Sequence, residues 1–480
     1  MGACRLTCLS VIVLHAVATP VWPAIQFSVD VTDRATAIYH VACLGDSLPC
    51  TKSMFQAFWK ERLSWSATDQ RQLEVWKAIL TGIGRAAPQA GPASYVGNTF
   101  SLRPALAAQR RVIAALFEAR GPRDLRQRAG LNADDARGLF GAVEHFRRRL
   151  TPWWQASGRR IVPVDLRRVR AHLRGRDVSR LINDVETFSE SASAVTEIRV
   201  HAIPVPVPSS DDANATFAGN HVVVEATRAL DAEDFSAVVL HEVLHSIYDR
   251  SPTPRLTGLM DQFAKINTPQ ASGFYALLNE ALATAVQLLA LERLDRGAGI
   301  DLTNDRDDAY RHAFIPRAGR AALRALKESI AAGSTLYRGF VPRYIREVRL
   351  ELGDDVNRPG FLLSAVALLP VANTGDASST FHAELQPINV VGGDSWKRYS
   401  QLDAVFLITH TDVVQAFGSS FPDVASLTNT RGFAYRGRRA GQGSVIILSG
   451  VDAAAVSDVI RALARLPALP AAGLLLTLGG

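Results

Sequence analysis

Cysteine is nearly absent from this chain. Four occur in 480 residues, at positions 4, 8, 43 and 50. That excludes a dense disulfide framework, and neither later cysteine has a zinc-ribbon partner. Lysine is scarce too, at six of the 53 basic residues. The remainder are arginines, clustered in FRRRL (146–150), LRRVRAHLRGR (166–176) and RGRR (436–439), with a net charge of +7. No nucleic-acid recognition motif accompanies them, so a solvated face or attraction to an anionic surface is expected rather than nucleic-acid binding. No internal repeat is present. Charged residues make up 21% and apolar residues 48%, which excludes a disordered chain and permits a large core.

The first residues carry an export pattern. One arginine precedes an apolar run, LTCLSVIVLHAV (6–17), and Ala16-Val17-Ala18 offers a small-x-small cleavage site. The run is shorter than the ~20 residues of a membrane span, so residues 1–18 are expected to be a signal peptide and no integral membrane segment is expected. A secreted or periplasmic location follows. Cleavage would remove Cys4 and Cys8, and Cys43 and Cys50 would then close a local disulfide in an oxidising compartment.

At this length two or three domains are expected. Residues 25–45 alternate loosely and read as one or two strands. Helical patterns dominate to about Ser189, one starting at Ser66 with Asp69 three residues on. Segments 197–207 and 216–226 read as strands, the first made irregular or peripheral by Pro204, Pro206 and Pro208. Asn214-Ala215-Thr216 matches a glycosylation acceptor, a short and weak signal. A helix over 232–249 follows, capped by Asp231, and then the longest apolar helix, 273–296. After Gly353 strand-like runs alternate with a helix at 452–466. The reading is an α+β chain: an α-rich N-terminal region (19–190), a catalytic domain with a mixed sheet and active-site helices (191–350), and a small α/β C-terminal domain (351–480).

The chemistry concentrates in His241-Glu242-Val243-Leu244-His245. Residues i and i+4 lie on one helix face, so two imidazoles can meet one Zn²⁺ there. Glu242 beside them is placed to take a proton from an attacking water and pass it to a departing amine. A catalytic zinc needs a third protein ligand. The HExxHxxGxxH route is closed, since Tyr248 and Ser251 stand at the Gly and third His positions. Asp249 lies about 12 Å along the same helix from His241, which fits a helix end better than a ligand. Glu280 is stronger: it is the only formal charge between Phe274 and Leu291. A lone carboxylate in a buried helix is costly unless it is paired or binds a metal.

Here the chain resembles the gluzincin branch of zinc metallopeptidases, which carries HExxH on one helix and a glutamate, often within an Asn-Glu pair, on a later one. The resemblance covers roughly residues 196–300. It implies a zincin-like catalytic fold, zinc ligands at His241, His245 and Glu280, and Glu242 as general base. It also implies an edge strand, here 216–226, along which a peptide or protein substrate lies extended. Gluzincins add a Tyr or His that stabilises the oxyanion, and Tyr337, Tyr344 and His312 are the candidates. His201 and His221 are further candidates for lining the cleft. No Gly-x-Met-x-Asn anchor is present, and Ala283 and Thr284 replace the Ser and Asp of the thermolysin-like Asn-Glu-x-x-Ser-Asp pattern. The expectation is an exported zinc metallopeptidase; the alternative is a zinc-retaining scaffold or binding protein without peptidase activity. A basic surface-binding protein is a third reading.

Overall fold

The computed structural model describes residues 25–87, 104–157, 162–191, 197–207, 213–266, 268–294, 312–371, 373–392, 403–437 and 444–479. Residues 1–18, expected to be a signal peptide, lie outside them. The first stretch gives β1 (Gln26–Asp30), then α1 (Asp33–Leu44), α2 (Lys52–Glu61), α3 (Ala67–Ala86), α4 (Pro104–Glu118), α5 (Pro122–Ala129), α6 (Ala133–Ala156), α7 (Leu166–Leu173) and α8 (Arg176–Phe188). The strand expected to continue toward residue 45 stops after five residues. Thr32 caps a helix there, its side chain accepting from the Ala35 N–H at 3.1 Å, and the β-branched run beyond it is buried as α1. Tertiary burial overrides strand propensity in that segment. Ser66 and Asp69 form the full capping box at the start of α3. Cys43 and Cys50 form a disulfide with Cα atoms 5.6 Å apart, a weak pointer to an oxidising compartment.

The middle of the chain supplies β2 (Glu197–Pro204), β3 (Ala215–Ala218), β4 (His221–Ala226), α9 (Ala232–Asp249), α10 (Thr253–Ala264), α11 (Ala271–Leu294), α12 (Ile315–Ala331) and α13 (Phe340–Leu352). The sheet order is β1-β2-β4-β3, with β3 antiparallel to β4 and the other pairs parallel. The expected strand 216–226 is therefore a hairpin, and of its two strands only β3 lies at an edge of the sheet. β2 is interior. Its prolines terminate it instead of exposing it, since pairing runs only through Pro204.

Side chains alternate across this sheet. Val200, Ala202, Phe217, Val222 and Val224 join a core built with α7 to α13. Ile203, Val205, Ala218 and Val223 join a second core built with α1 to α6. The N-terminal region is thus tied to the central sheet twice, as a paired strand and as a packed layer. Glu225 adds a polar tie: its carboxylate accepts from the Tyr39 hydroxyl, the Thr51 N–H and hydroxyl, and the Asn214 N–H. α11 is apolar and long enough to cross a membrane, but it is a core helix, packed against α9 and α12.

After α14 (Pro359–Leu362) come β5 (Ala365–Pro370), α15 (Ala377–Leu385), β6 (Asn389–Gly392), β7 (Asp403–Thr409), α16 (His410–Phe417), α17 (Asp423–Leu427), β8 (Gly432–Gly437), β9 (Val445–Gly450), α18 (Ala453–Ala464) and β10 (Gly473–Leu478). The six strands order as β10-β8-β9-β7-β5-β6, with β5, β6, β7 and β9 parallel and β8 and β10 antiparallel to their neighbours. Helices cover both faces, as a mostly parallel sheet requires. The whole is an α+β protein with two mixed sheets.

Candidate metal centre

α9 is positioned by its ends and by its apolar surround. The Asp231 carboxylate accepts from the Asp234 N–H at 2.8 Å, and Glu233 and Asp234 favour the positive helix start. Almost every residue from Ala232 to Tyr248 is buried, between β3 and β4 on one side and α11 on the other. Small residues let α11 pack closely among its neighbours. Ala281 and Ala283 are fully buried, and Gly319 of α12 sits so near Thr284 that an added Cβ would lie 2.3 Å from the Thr284 methyl.

This packing brings His241, His245 and Glu280 together. The two Nε2 atoms are 3.0 Å apart. Glu280 places one carboxylate oxygen 3.6 Å from His241 Nε2 and the other 3.4 Å from His245 Nε2. Ligand atoms bound tetrahedrally at ~2.0–2.1 Å stand about 3.3–3.4 Å from one another. The three edges observed here bracket that figure, so the group could hold a metal ion. Two imidazoles and one carboxylate form the donor set of catalytic zinc sites.

The surroundings select the ligating form of the rings. Asn279 Oδ1 lies 3.2 Å from His245 Nδ1. An amide oxygen accepts only, which puts the ring proton on Nδ1 and leaves the Nε2 lone pair facing the group. The Phe217 ring lies nearly parallel to the His245 ring at 6.3 Å. Burial acts to raise the Glu280 carboxyl, but His245, His241 and His312 outweigh it and hold it at about 2. Glu242 is pushed the other way, up to about 7, chiefly by burial; His245 and Arg110 pull it down and Glu280 pushes it up. Burial also lowers His245. That shift favours the neutral imidazole, the form in which histidine binds a metal.

The remaining candidates fall elsewhere. Tyr344 is buried in the core and its hydroxyl donates to the Phe274 carbonyl at 3.2 Å. The Tyr337 hydroxyl donates to Ser251 at 2.7 Å. His312 lies within electrostatic reach of Glu280, and its buried Nε2 has no hydrogen-bond partner. His201 and His221 project from the sheet face opposite α9, toward α4. Asp249 is outside the metal group and pairs with Arg110 at 3.7 Å.

Three neighbours of the centre escape a reading of the sequence. Asn279 was visible only as part of an Asn-Glu pair. Its complete burial beside Glu280 is the signal that marks it, a polar pair inside an apolar helix. Phe217 and Arg110 carry no such signal, because β3 and α4 reach α9 only through the tertiary fold. No protein-family model, no curated protein and no solved structure matches the chain.

Proposed function

We propose that this protein is an exported zinc-dependent peptidase of the gluzincin type, with a zincin-like catalytic unit formed by the four-stranded sheet, α9 and α11. The observation that carries the reading is the convergence of His241, His245 and Glu280 within one ion's coordination distance, with Glu242 on the adjoining helix position. These three residues would hold the zinc, which, when bound, supplies a Lewis acid for the scissile carbonyl and for a water. Glu242 takes the proton from that attacking water and hands it to the departing amine. Its burial keeps bulk solvent from competing for the proton. Of the three oxyanion candidates, His312 is the one whose surroundings support the role, since its Nε2 has no hydrogen-bond partner and it lies within electrostatic reach of Glu280. β3, paired on one side only, is the strand beside which an extended peptide would add.

The test is metal analysis of the mature protein with a peptide-library assay of Glu242→Gln. One zinc per chain is expected in both proteins, with hydrolysis falling by about 10²–10⁴-fold in the variant. Undiminished hydrolysis in Glu242→Gln, or a mature protein that takes up no zinc, defeats the reading. Stoichiometric zinc with no turnover of any peptide by the parent favours the scaffold alternative.

A further inference from the structure

Beside the centre runs a groove of about 560 Å³. Its walls are α4, the β3–β4 turn and the last turns of α9, with Arg110, Phe217, Ser246, Asp249 and Arg250 among its lining. Glu242, Ser246, Asp249 and Arg250 are spaced i, i+4, i+7 and i+8, so they share one stripe of α9. That stripe begins at the general base and ends in the groove. Phe217 joins the two places as well, lining the groove and facing the His245 ring.

Arg110 is the unusual member. Its side chain is 13% exposed, and its guanidinium carbon stands 4.5 Å over the Phe217 ring. Its Nε and Nη1 are buried with no hydrogen-bond partner. Asp249, at 3.7 Å, is at ion-pair distance but too far for a hydrogen bond, and its own Oδ1 is buried and likewise unsatisfied. Burial works against the Arg110 charge, and Asp249 and Glu242 offset it only in part. A buried guanidinium whose nearest acid stands beyond hydrogen-bond distance is costly unless a ligand completes it, and a carboxylate is a group that can pair with its end-on Nη1 and Nη2 donors. Arg250 also has a buried Nη2 without a hydrogen-bond partner, but two acids, Glu186 and Asp249, offset its charge.

We propose that the groove is a substrate subsite in which Arg110 receives a carboxylate of the peptide, so that this enzyme selects acidic substrates. The proposal rests on the metallopeptidase reading and names its substrate class. An extended peptide advances about 3.3 Å per residue, so a carboxylate two or three residues from the scissile carbonyl spans the distance from His245 past Phe217 to Arg110. Two sources supply that group, a chain terminus or a Glu or Asp side chain.

Both are tested by calorimetric binding to zinc-loaded Glu242→Gln, whose turnover is expected to be about 10²–10⁴-fold slower than the parent's. Acetyl-Ala-Ala-Phe is compared with its C-terminal amide, and acetyl-Ala-Glu-Phe-amide with acetyl-Ala-Gln-Phe-amide. At least one acid is expected to bind tenfold or more tightly than its neutral partner, and which pair responds identifies the source. Adding Arg110→Met is expected to abolish the preference while the neutral peptides bind as before. Adding Asp249→Asn, which frees Arg110 of its competitor, is expected to strengthen the preference, and it serves where Arg110→Met does not fold. Equal binding within both pairs, or a preference untouched by both added substitutions, overturns the subsite. Failure to load zinc is scored separately by metal analysis and counts against the peptidase reading, not against charge selection in the groove.

Discussion

Two histidine pairs lie within this fold, and their nitrogens approach equally closely. His241 and His245 bring Nε2 atoms to 3.0 Å; His201 Nε2 and His221 Nδ1 stand 2.9 Å apart. Both pairs are buried, and both have carboxylates at hand. The difference is direction. In the first pair the rings are steeply inclined, at 77°, and one carboxylate reaches both nitrogens. In the second the rings lie nearly parallel, at 12°, both against Phe117, and each outer nitrogen faces its own carboxylate, Asp30 at 2.7 Å and Glu118 at 3.4 Å. Three lone pairs aimed at one point make a chelate. The same groups strung in a line make a chain, hydrogen-bonded from Asp30 through His201 to His221 and ending in the ion-pair contact of His221 with Glu118, which ties β1, β2, β4 and α4 together. Burial of histidine is thus no guide to metal binding; convergence is.

The sharpest way to break this comparison is to remove one ring from each pair. His245→Ala is expected to lose stoichiometric zinc and to reduce peptide hydrolysis by about 10³-fold or more, whereas His221→Gln keeps its zinc; equal zinc loss in the two would erase the distinction. A smaller effect appears in stability. Zinc at a hundred times its Kd is expected to stabilise the native protein by about 2.7 kcal/mol, read from denaturant or thermal unfolding with and without chelator. That increment vanishes in His245→Ala and survives in His221→Gln. Smaller again is the effect of Asn279→Ala, which leaves the three ligands but frees the His245 ring to change tautomer and orientation. Zinc affinity is expected to weaken about 10–100-fold, and an unchanged affinity in a competition titration would show that Asn279 does not orient the ring.

The centre was legible because it is local. The i, i+4 histidines and Glu242 declare themselves within five residues, and Glu280 stands out because its helix holds no other charge for seventeen positions around it. The helix over 232–249, the apolar helix after it and the α/β character of the last third follow from periodicity and caps in the same way. What was not legible is what the tertiary fold brings in from far along the chain. β1 joins the sheet beside β2 across some 170 residues, as the Asp30 to His201 contact shows. The segment after β1 reads as a strand by composition and is a helix because its β-branched face is buried among α6 and β2. Tyr344 looked like an oxyanion group from its place in sequence and proves to be a core side chain. Arg110, on a helix of the N-terminal region, enters the groove through packing alone.

The chain of the second pair can be probed without touching the first by lowering the pH. Burial, followed by His201 and Arg199, lowers His221 to about 3. In the unfolded chain the same ring titrates at its ordinary value near 6.5. The unfolded state therefore binds a proton below about pH 6.5 that the folded state refuses until about pH 3. Stability is fully present above the unfolded value and declines as the solution is acidified through that window. The share due to this ring between pH 7.5 and pH 5.5 is about 1.4 kcal/mol, one tenfold change in the folding equilibrium. His221→Gln removes the titrating ring while keeping a polar side chain toward His201. Its unfolding free energy should fall less steeply over that range than the parent's, by about that amount, in chelator so that zinc loss at the first pair does not contribute. Parallel pH profiles for the two proteins would mean that His221 carries its proton in the folded state, and that the hydrogen-bond chain is held by an imidazolium between two carboxylates instead of a neutral ring.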